Sequence, residues 1–209
     1  MKLTSTSFSD GQEIPGKFSF CTPDPAHHVC LGNNINPHLA WSDAPADTKS
    51  FVVICHDPDV PSQGDDVNQE GRSVPAALPR VDFFHWVLID LPATVKAIAE
   101  GEFSNKVTPR GKPGLQAAEG SRQGINNYTD WFANDHDMSG DYYGYDGPCP
   151  PWNDEIIHHY IFTVYALDIE KLPLDGKFGG PEVRTAMLGH ILAEACLTGT
   201  YTLNASLQA

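Results

Sequence analysis

The sequence predicts a mainly β protein, an antiparallel β-sandwich with small helices and one helix near the C-terminus. Three observations support this: several short β-branched and aromatic runs, long turn-rich segments between them, and a single late stretch with helical spacing. Repeated βαβ units would need a helix between successive strands, and no such alternation exists. The 209 residues include 18 Gly and 17 Pro, with 41% hydrophobic and 19% charged residues, which is the balance of a folded, turn-rich chain. That length suits one domain, taken as 1–209.

Leu3 to Phe8 alternates loosely with Ser and Thr and reads as an opening strand, with a second candidate at Lys17 to Phe20. A Pro-, His- and Asn-rich loop then reaches Pro37. His38 to Trp41 is short and extended, and the Asp43-Ala44-Pro45 turn leads into a strong strand, Ser50 to Asp57. The acidic, proline-bearing run DPDVPSQGDD ends it. Asp82 to Pro92, DFFHWVLIDLP, is the next clear strand.

From 93 to 145 the pattern weakens into a loop-rich segment, with a helical turn expected around Val95 to Glu100. A structureless stretch of that length is uncommon in a folded domain, so short elements are expected within it. Ile156 to Leu167 is the third strong strand. Val183, Met187, Ile191 and Ala195 then recur at spacing four, with Pro181 ahead and Gly199 beyond, which predicts a helix near 182–197. Thr200 to Leu207 reads as a closing strand.

The net charge of -14, from 27 acidic against 13 basic residues, argues against a nucleic-acid partner, since phosphate backbones need a basic footprint. No window approaches a membrane span, so integral membrane association is not expected. The N-terminus MKLTSTSFSDG lacks an apolar leader core, which makes the cytoplasm the expected location. The five cysteines form no CxxC pair, and their odd count favours free thiols; Cys21 with Cys30 is the pairing to consider for an exported chain.

Period-two alternation puts His158 with Tyr160 and Phe162 on one face of the third strand and His159 on the other. The same rule aligns His85 with Val87 and Ile89, and Asp57 with Val53 and Cys55. Three strands therefore each deliver a polar group beside a loop. A histidine on an apolar strand is more often a satisfied core residue than a functional one, and acids beside prolines are often only turn formers. The prolines of GPCPP can simply end a loop, or hold a rigid wall that leaves neighbouring N–H groups free for a ligand.

No G-x-S-x-G elbow, Walker sequence or dinucleotide-type glycine loop is present, and no H-x-H or H-E-x-x-H pair suggests a metal, so no cofactor is expected. Asp57, His85 and His158, if brought together, could hold a metal or an oxyanion. Without an evident nucleophile the set reads as a binding site, with Asp57 orienting a histidine and raising its pKa. The alternative is a metal-dependent hydrolase or isomerase using the same three residues.

DPDVP at Asp57 to Pro61, FHWVLIDLP at Phe84 to Pro92, GPCPP at Gly147 to Pro151, HHYIFTVYALD at His158 to Asp168 and GHILAEACLTGTY at Gly189 to Tyr201 together resemble the phosphatidylethanolamine-binding protein family, in particular its bacterial Raf-kinase-inhibitor-like branch. The resemblance implies a Greek-key antiparallel sandwich and a pocket at one end for phosphate or phosphorylated head groups. It assigns to that pocket Asp57, Asp59, His85, Gly147, Pro148, Pro150, Pro151, His158 and Tyr160, and leaves His159 outside. It marks 62–80 as a long insertion placed to cover or reshape the pocket mouth. A non-enzymatic role as inhibitor or adaptor follows, with an unidentified protein partner and self-association as a homodimer among the expectations.

Overall fold

Two long strands from the first half of the chain, β5 (Ser50–Pro61) and β6 (Arg80–Pro92), lie at the heart of a five-stranded antiparallel sheet in this computed structural model, which describes residues 1–208. β9 (His158–Leu167) pairs with β5 on its other side, β10 (Ile191–Tyr201) pairs with β9, and the two-residue β8 (Arg122–Gln123) closes the far edge against β6. A three-stranded sheet of β1 (Lys2–Thr4), β4 (Leu39–Ser42) and β7 (Ala97–Ile98) packs on one face. A hairpin of β2 (Cys21–Asp24) and β3 (His28–Leu31) completes the strands.

β5 has few polar interruptions because both of its faces are covered. Phe51, Val53 and Cys55 pack with Trp86, Phe162 and Val164 toward the smaller sheet, while Val52 and Ile54 pack with Val87, Ile89 and the helix α2 (Gly180–Ala186) on the opposite side. Each such side chain, fully removed from water, contributes roughly 1.5–3 kcal/mol.

Two of the three irregularities in β5–β6 pairing shape the site. Cys55 faces Trp86 but the next residue, His56, faces Phe84, so His85 is the extra residue of a β-bulge. A second shift lies between Asp57, opposite Phe83, and Val60, opposite Val81.

The helix expected over 182–197 is only partly formed. α2 ends at Ala186, a turn follows in which Gly189 has φ 83°, and from Ile191 the chain is the edge strand β10. Val183 and Met187 are buried against the sheet, but Ile191 is exposed, so the four-residue spacing was coincidental beyond Met187. Burial then follows period two through Leu197, Gly199 and Tyr201. Gly199 is required there because a Cβ would sit 2.4 Å from Ile14. The strand ends at Tyr201, and the expected strand to Leu207 is instead a turn.

The Lys17–Phe20 strand candidate is a single 3-10 turn at Gly16–Phe18, and the Pro-rich loop after it contains the β2–β3 hairpin. Where a helical turn was expected, at 95–100, β7 pairs with β4. The segment 93–145 does hold short elements, among them β8 and the one-turn helix α1 (Tyr128–Trp131).

Candidate ligand-binding site

A cavity of about 380 Å³ opens at the end of the five-stranded sheet where β5, β6 and β9 meet the Pro150–Pro151 loop. Its floor is polar and built from Asp57, His85, His158 and Tyr160. Its walls are apolar and include Phe20, Phe83, Tyr128, Trp131, Phe132 and Met138.

Asp57 and His158 meet because β5 and β9 are neighbours. His158 Nδ1 donates to Asp57 Oδ2 at 2.7 Å, and Nε2 donates to Asp154 Oδ2 at 3.1 Å. A ring that gives both nitrogens to carboxylates is an imidazolium. Burial opposes that charge, but the hydrogen bonds and charges of Asp154 and Asp57 outweigh it and push the pKa up to about 9. Burial also opposes ionisation of Asp154, and the bonds from His158 and Arg80 overcome it, holding that carboxyl below its ordinary range. Arg80 grips Asp154 with two bonds, of 2.6 and 3.0 Å. Arg80, Asp154, His158 and Asp57 therefore form a chain of alternating charge that sums to zero.

His85 reaches the same floor through the bulge. Alternation had placed it with Val87 and Ile89; the extra residue instead turns it to the side of Trp86 and Cys55, where it meets Tyr160 edge-on at 5.1 Å. Its Nδ1 donates to the carbonyl of Asp146 at 2.7 Å. Burial pushes its pKa down to about 4, against the pull of Asp57 and of the Asp146 and Gly147 carbonyls. His85 is thus neutral at neutral pH, and its Nε2 carries a lone pair without a protein partner among the described residues. Asp146 is fixed in turn by Asn34, Asn126 and Lys112, at 2.7, 2.7 and 2.9 Å.

The hydroxyl of Tyr160 is buried without a hydrogen-bond partner among the described residues. Burial, with Asp57 nearby, pushes its pKa well up, so it remains an O–H donor. Leaving such a group unmet costs about 1–3 kcal/mol, which a ligand oxygen could recover.

The expected residues do not all line the cavity. Asp57, His85, Pro150, Pro151, His158 and Tyr160 do. Asp59 does not: the second bulge lets its N–H cap Asp57 at 2.8 Å and turns its carboxylate to exposed His159, whose N–H and Nδ1 it accepts. Gly147 and Pro148 support the wall from behind. The Gly147 carbonyl accepts from the Tyr128 hydroxyl, Pro148 O accepts from Phe20 and Cys21 N–H, and a Cβ on Gly147 would lie 2.0 Å from Phe18 O.

Residues 62–80 form one side of the mouth, through Gly64, Val67 and Asn68. The segment is held by Asn153, which receives Asn68 N–H at 2.9 Å and donates to the carbonyls of Asp66 and Arg72. Opposite, Cys149 is bonded to Cys21, correcting both the expectation of free thiols and the Cys21–Cys30 alternative; Cys30, Cys55 and Cys196 are free. The two partners lie 128 residues apart, so no local spacing could reveal them. Asp154, Arg80 and Asp146 were also missed. The only available signal was the acidic run between Trp152 and His158.

A family model described as phosphatidylethanolamine-binding protein matches residues 4–202. Escherichia coli (strain K12) YbhB is 34% identical over 97% of this chain and 100% of its own length, and YbcL from the same organism is 28% identical over 97% and 87%. Among solved structures, CT736 of Chlamydia trachomatis, described as a homologue of phosphatidylethanolamine-binding protein, aligns with a TM-score of 0.63 at 32% identity, covering 96% of this chain and 95% of that one. E. coli YbcL aligns with a TM-score of 0.68 at 27% identity over 96% and 97%. The mainly β architecture and the sequence motifs thus agree with the same set of relatives from end to end, and the chain belongs to the phosphatidylethanolamine-binding protein family.

Proposed function

We propose that this protein binds a small anionic, phosphorylated ligand without turning it over, and acts through that binding as an inhibitor or adaptor. The observation that carries this reading is the convergence of Asp57, His85, His158 and Tyr160 from three strands on the floor of one cavity, with the buried Tyr160 hydroxyl left unpartnered. A ligand oxygen would satisfy that hydroxyl, and the apolar walls would exclude water around it. In this reading 1–209 works as one domain and 62–80 as a wall of the pocket.

Titration with phosphate or phosphoethanolamine at millimolar concentration should shift the ring signals of His85 and His158 in NMR spectra, and replacing both histidines should remove the response. No shift in the wild type at those concentrations would sink the reading.

The metal-dependent alternative gains no support. His158 commits both ring nitrogens to carboxylates and keeps no lone pair for a cation, and no group of three or more His, Cys, Asp or Glu arranged to hold a metal occurs among the described residues.

Among the described residues no helix is long and apolar enough to cross a membrane. A cytoplasmic setting is part of the proposal, and the Cys21–Cys149 bond gives it a test. If alkylation of thiols in quenched cells finds this bond intact, an oxidising compartment is indicated instead.

A further inference from the structure

We infer that the pocket takes its phosphate ester as the singly protonated monoanion carrying an apolar organic group, so that the ligand supplies the proton that the floor of the site lacks. This deepens the phosphate-binding reading and rests on it.

The argument is a count of donors and acceptors. His85 spends its one N–H on the Asp146 carbonyl, so Nε2 faces the cavity as an acceptor. The tautomer is locked, because Asp146 N–H also donates to the His85 carbonyl at 2.9 Å and the Asp146 side chain is held by three donors. His158 has no N–H to spare. Asp57 accepts from His158 and from Asp59 N–H, and each of its oxygens retains a further lone pair. Two acceptors, His85 Nε2 and Asp57, thus stand beside one donor, the Tyr160 hydroxyl, which lies near the Asp57 carboxylate but outside hydrogen-bond geometry with it.

A phosphate dianion is all acceptor and would meet two groups that repel it. A hydrogen-phosphate monoanion instead donates P–OH to His85 or Asp57 and accepts from Tyr160 through another oxygen. Arg80 gives no help, since both its bonds to Asp154 lie behind His158 and cancel that charge locally. The walls decide the rest of the ligand. A cavity of about 380 Å³ has room for much more than a bare oxyanion and lies in the range of small-molecule pockets. Phe83, Trp131, Phe132 and Met138 line the excess, a surface for an aryl or alkyl group.

The two floor histidines change charge on either side of the relevant window, and behind them burial pushes the Asp146 carboxyl up while Lys112, Asn34 and Asn126 donate to it. The ionisable groups at or behind the floor are Asp57 on β5, His85 on β6, His158 and Tyr160 on β9, Tyr128 on α1, Asp146, and Asp154 with Arg80. His85 changes charge at about 4 and His158 at about 9, the tyrosines are pushed well above their ordinary range, and Asp154 lies below its own. Phosphate monoesters lose their second proton near pH ~6, between the two histidines.

Calorimetry with the full chain and phenyl phosphate from about pH 5 to 8 reads this directly. Affinity should fall toward tenfold per pH unit above the second pKa of the ester. Benzenesulfonate, a permanent monoanion of similar shape without a proton, should bind at least tenfold more weakly at pH 5, as should inorganic phosphate, which lacks the ring. Affinity that stays flat or rises to pH 8, or sulfonate equal to phosphate ester at pH 5, would overturn the protonation rule. Equal affinity for inorganic phosphate would overturn the apolar half. Binding of none of the three at any pH would bring down the anion-binding reading itself, an outcome separate from the others.

Discussion

The charge on His158 is open to direct measurement, and its consequence for stability can be worked from the structure. In the unfolded chain the ring titrates near 6.5, and in the fold its pKa rises to about 9 between Asp57 and Asp154. That difference corresponds to about 3 kcal/mol. Because the folded value is the higher one, the stabilisation is fully present below 6.5 and is lost as pH rises through about 9. Urea midpoints should therefore decline across that window, while a His158→Gln variant, already destabilised by its two unneutralised carboxylates, should lose the His158 component of the slope. Histidine-selective ¹⁵N spectra test the cause. At neutral pH His158 should show two protonated nitrogens and His85 one protonated Nδ1 and one bare Nε2. A bare nitrogen on His158 at neutral pH, or a midpoint at or below 6.5, would refute the alternating-charge chain.

Other consequences can be checked by substitution. Arg80→Met removes the bidentate partner of Asp154, a carboxylate only 1% exposed, and should cost about 3–5 kcal/mol by chemical denaturation; a loss below about 1 kcal/mol would show that the chain does not depend on its outer cation. Replacing Cys21 and Cys149 by Ala opens a 128-residue loop, and loop entropy alone sets the expected loss at about 5 kcal/mol, compared in urea against the oxidised wild type. Tyr160→Phe deletes a buried hydroxyl with no protein partner, so the ligand-free protein should lose no stability and gain up to about 1–3 kcal/mol, while affinity for phenyl phosphate drops about tenfold or more. Unchanged affinity would remove Tyr160 from the ligand's contacts.

The three strands that carry the floor were legible because each is a long apolar run buried on two faces, which leaves little doubt between strand and loop. Asp57, His85 and His158 followed from them. The errors have separate physical causes. A bulge is a pairing event between two strands, so nothing local to Phe84-His85-Trp86 announces that alternation breaks there. The residues from Ile191 onward fit a helical period and become a strand only because β9 offers an unpaired edge. Asp59 was assigned with Asp57 through the DPD motif of the resemblance, and the turn between them sends its carboxylate to His159. Arg80, Asp146 and Asp154 act through contacts 34 to 74 residues distant, or across a loop, and only the folded chain assembles those.

Asn153 holds the 62–80 segment through that segment's main chain: the amide of Asn68 and the carbonyls of Asp66 and Arg72. The side-chain anchors of the segment lie elsewhere in it: Asn68 Oδ1 accepts from Trp152 N–H, Arg72 pairs with Asp66, and Ser73 donates to Glu155. Gly64 and Val67 take part in none of these bonds, so those positions can be changed with Asp66 and Asn68 kept, while the floor beneath stays the same. Such a mouth is an exchangeable cassette: grafting a different sequence there would alter which organic group is admitted and leave the head-group chemistry untouched.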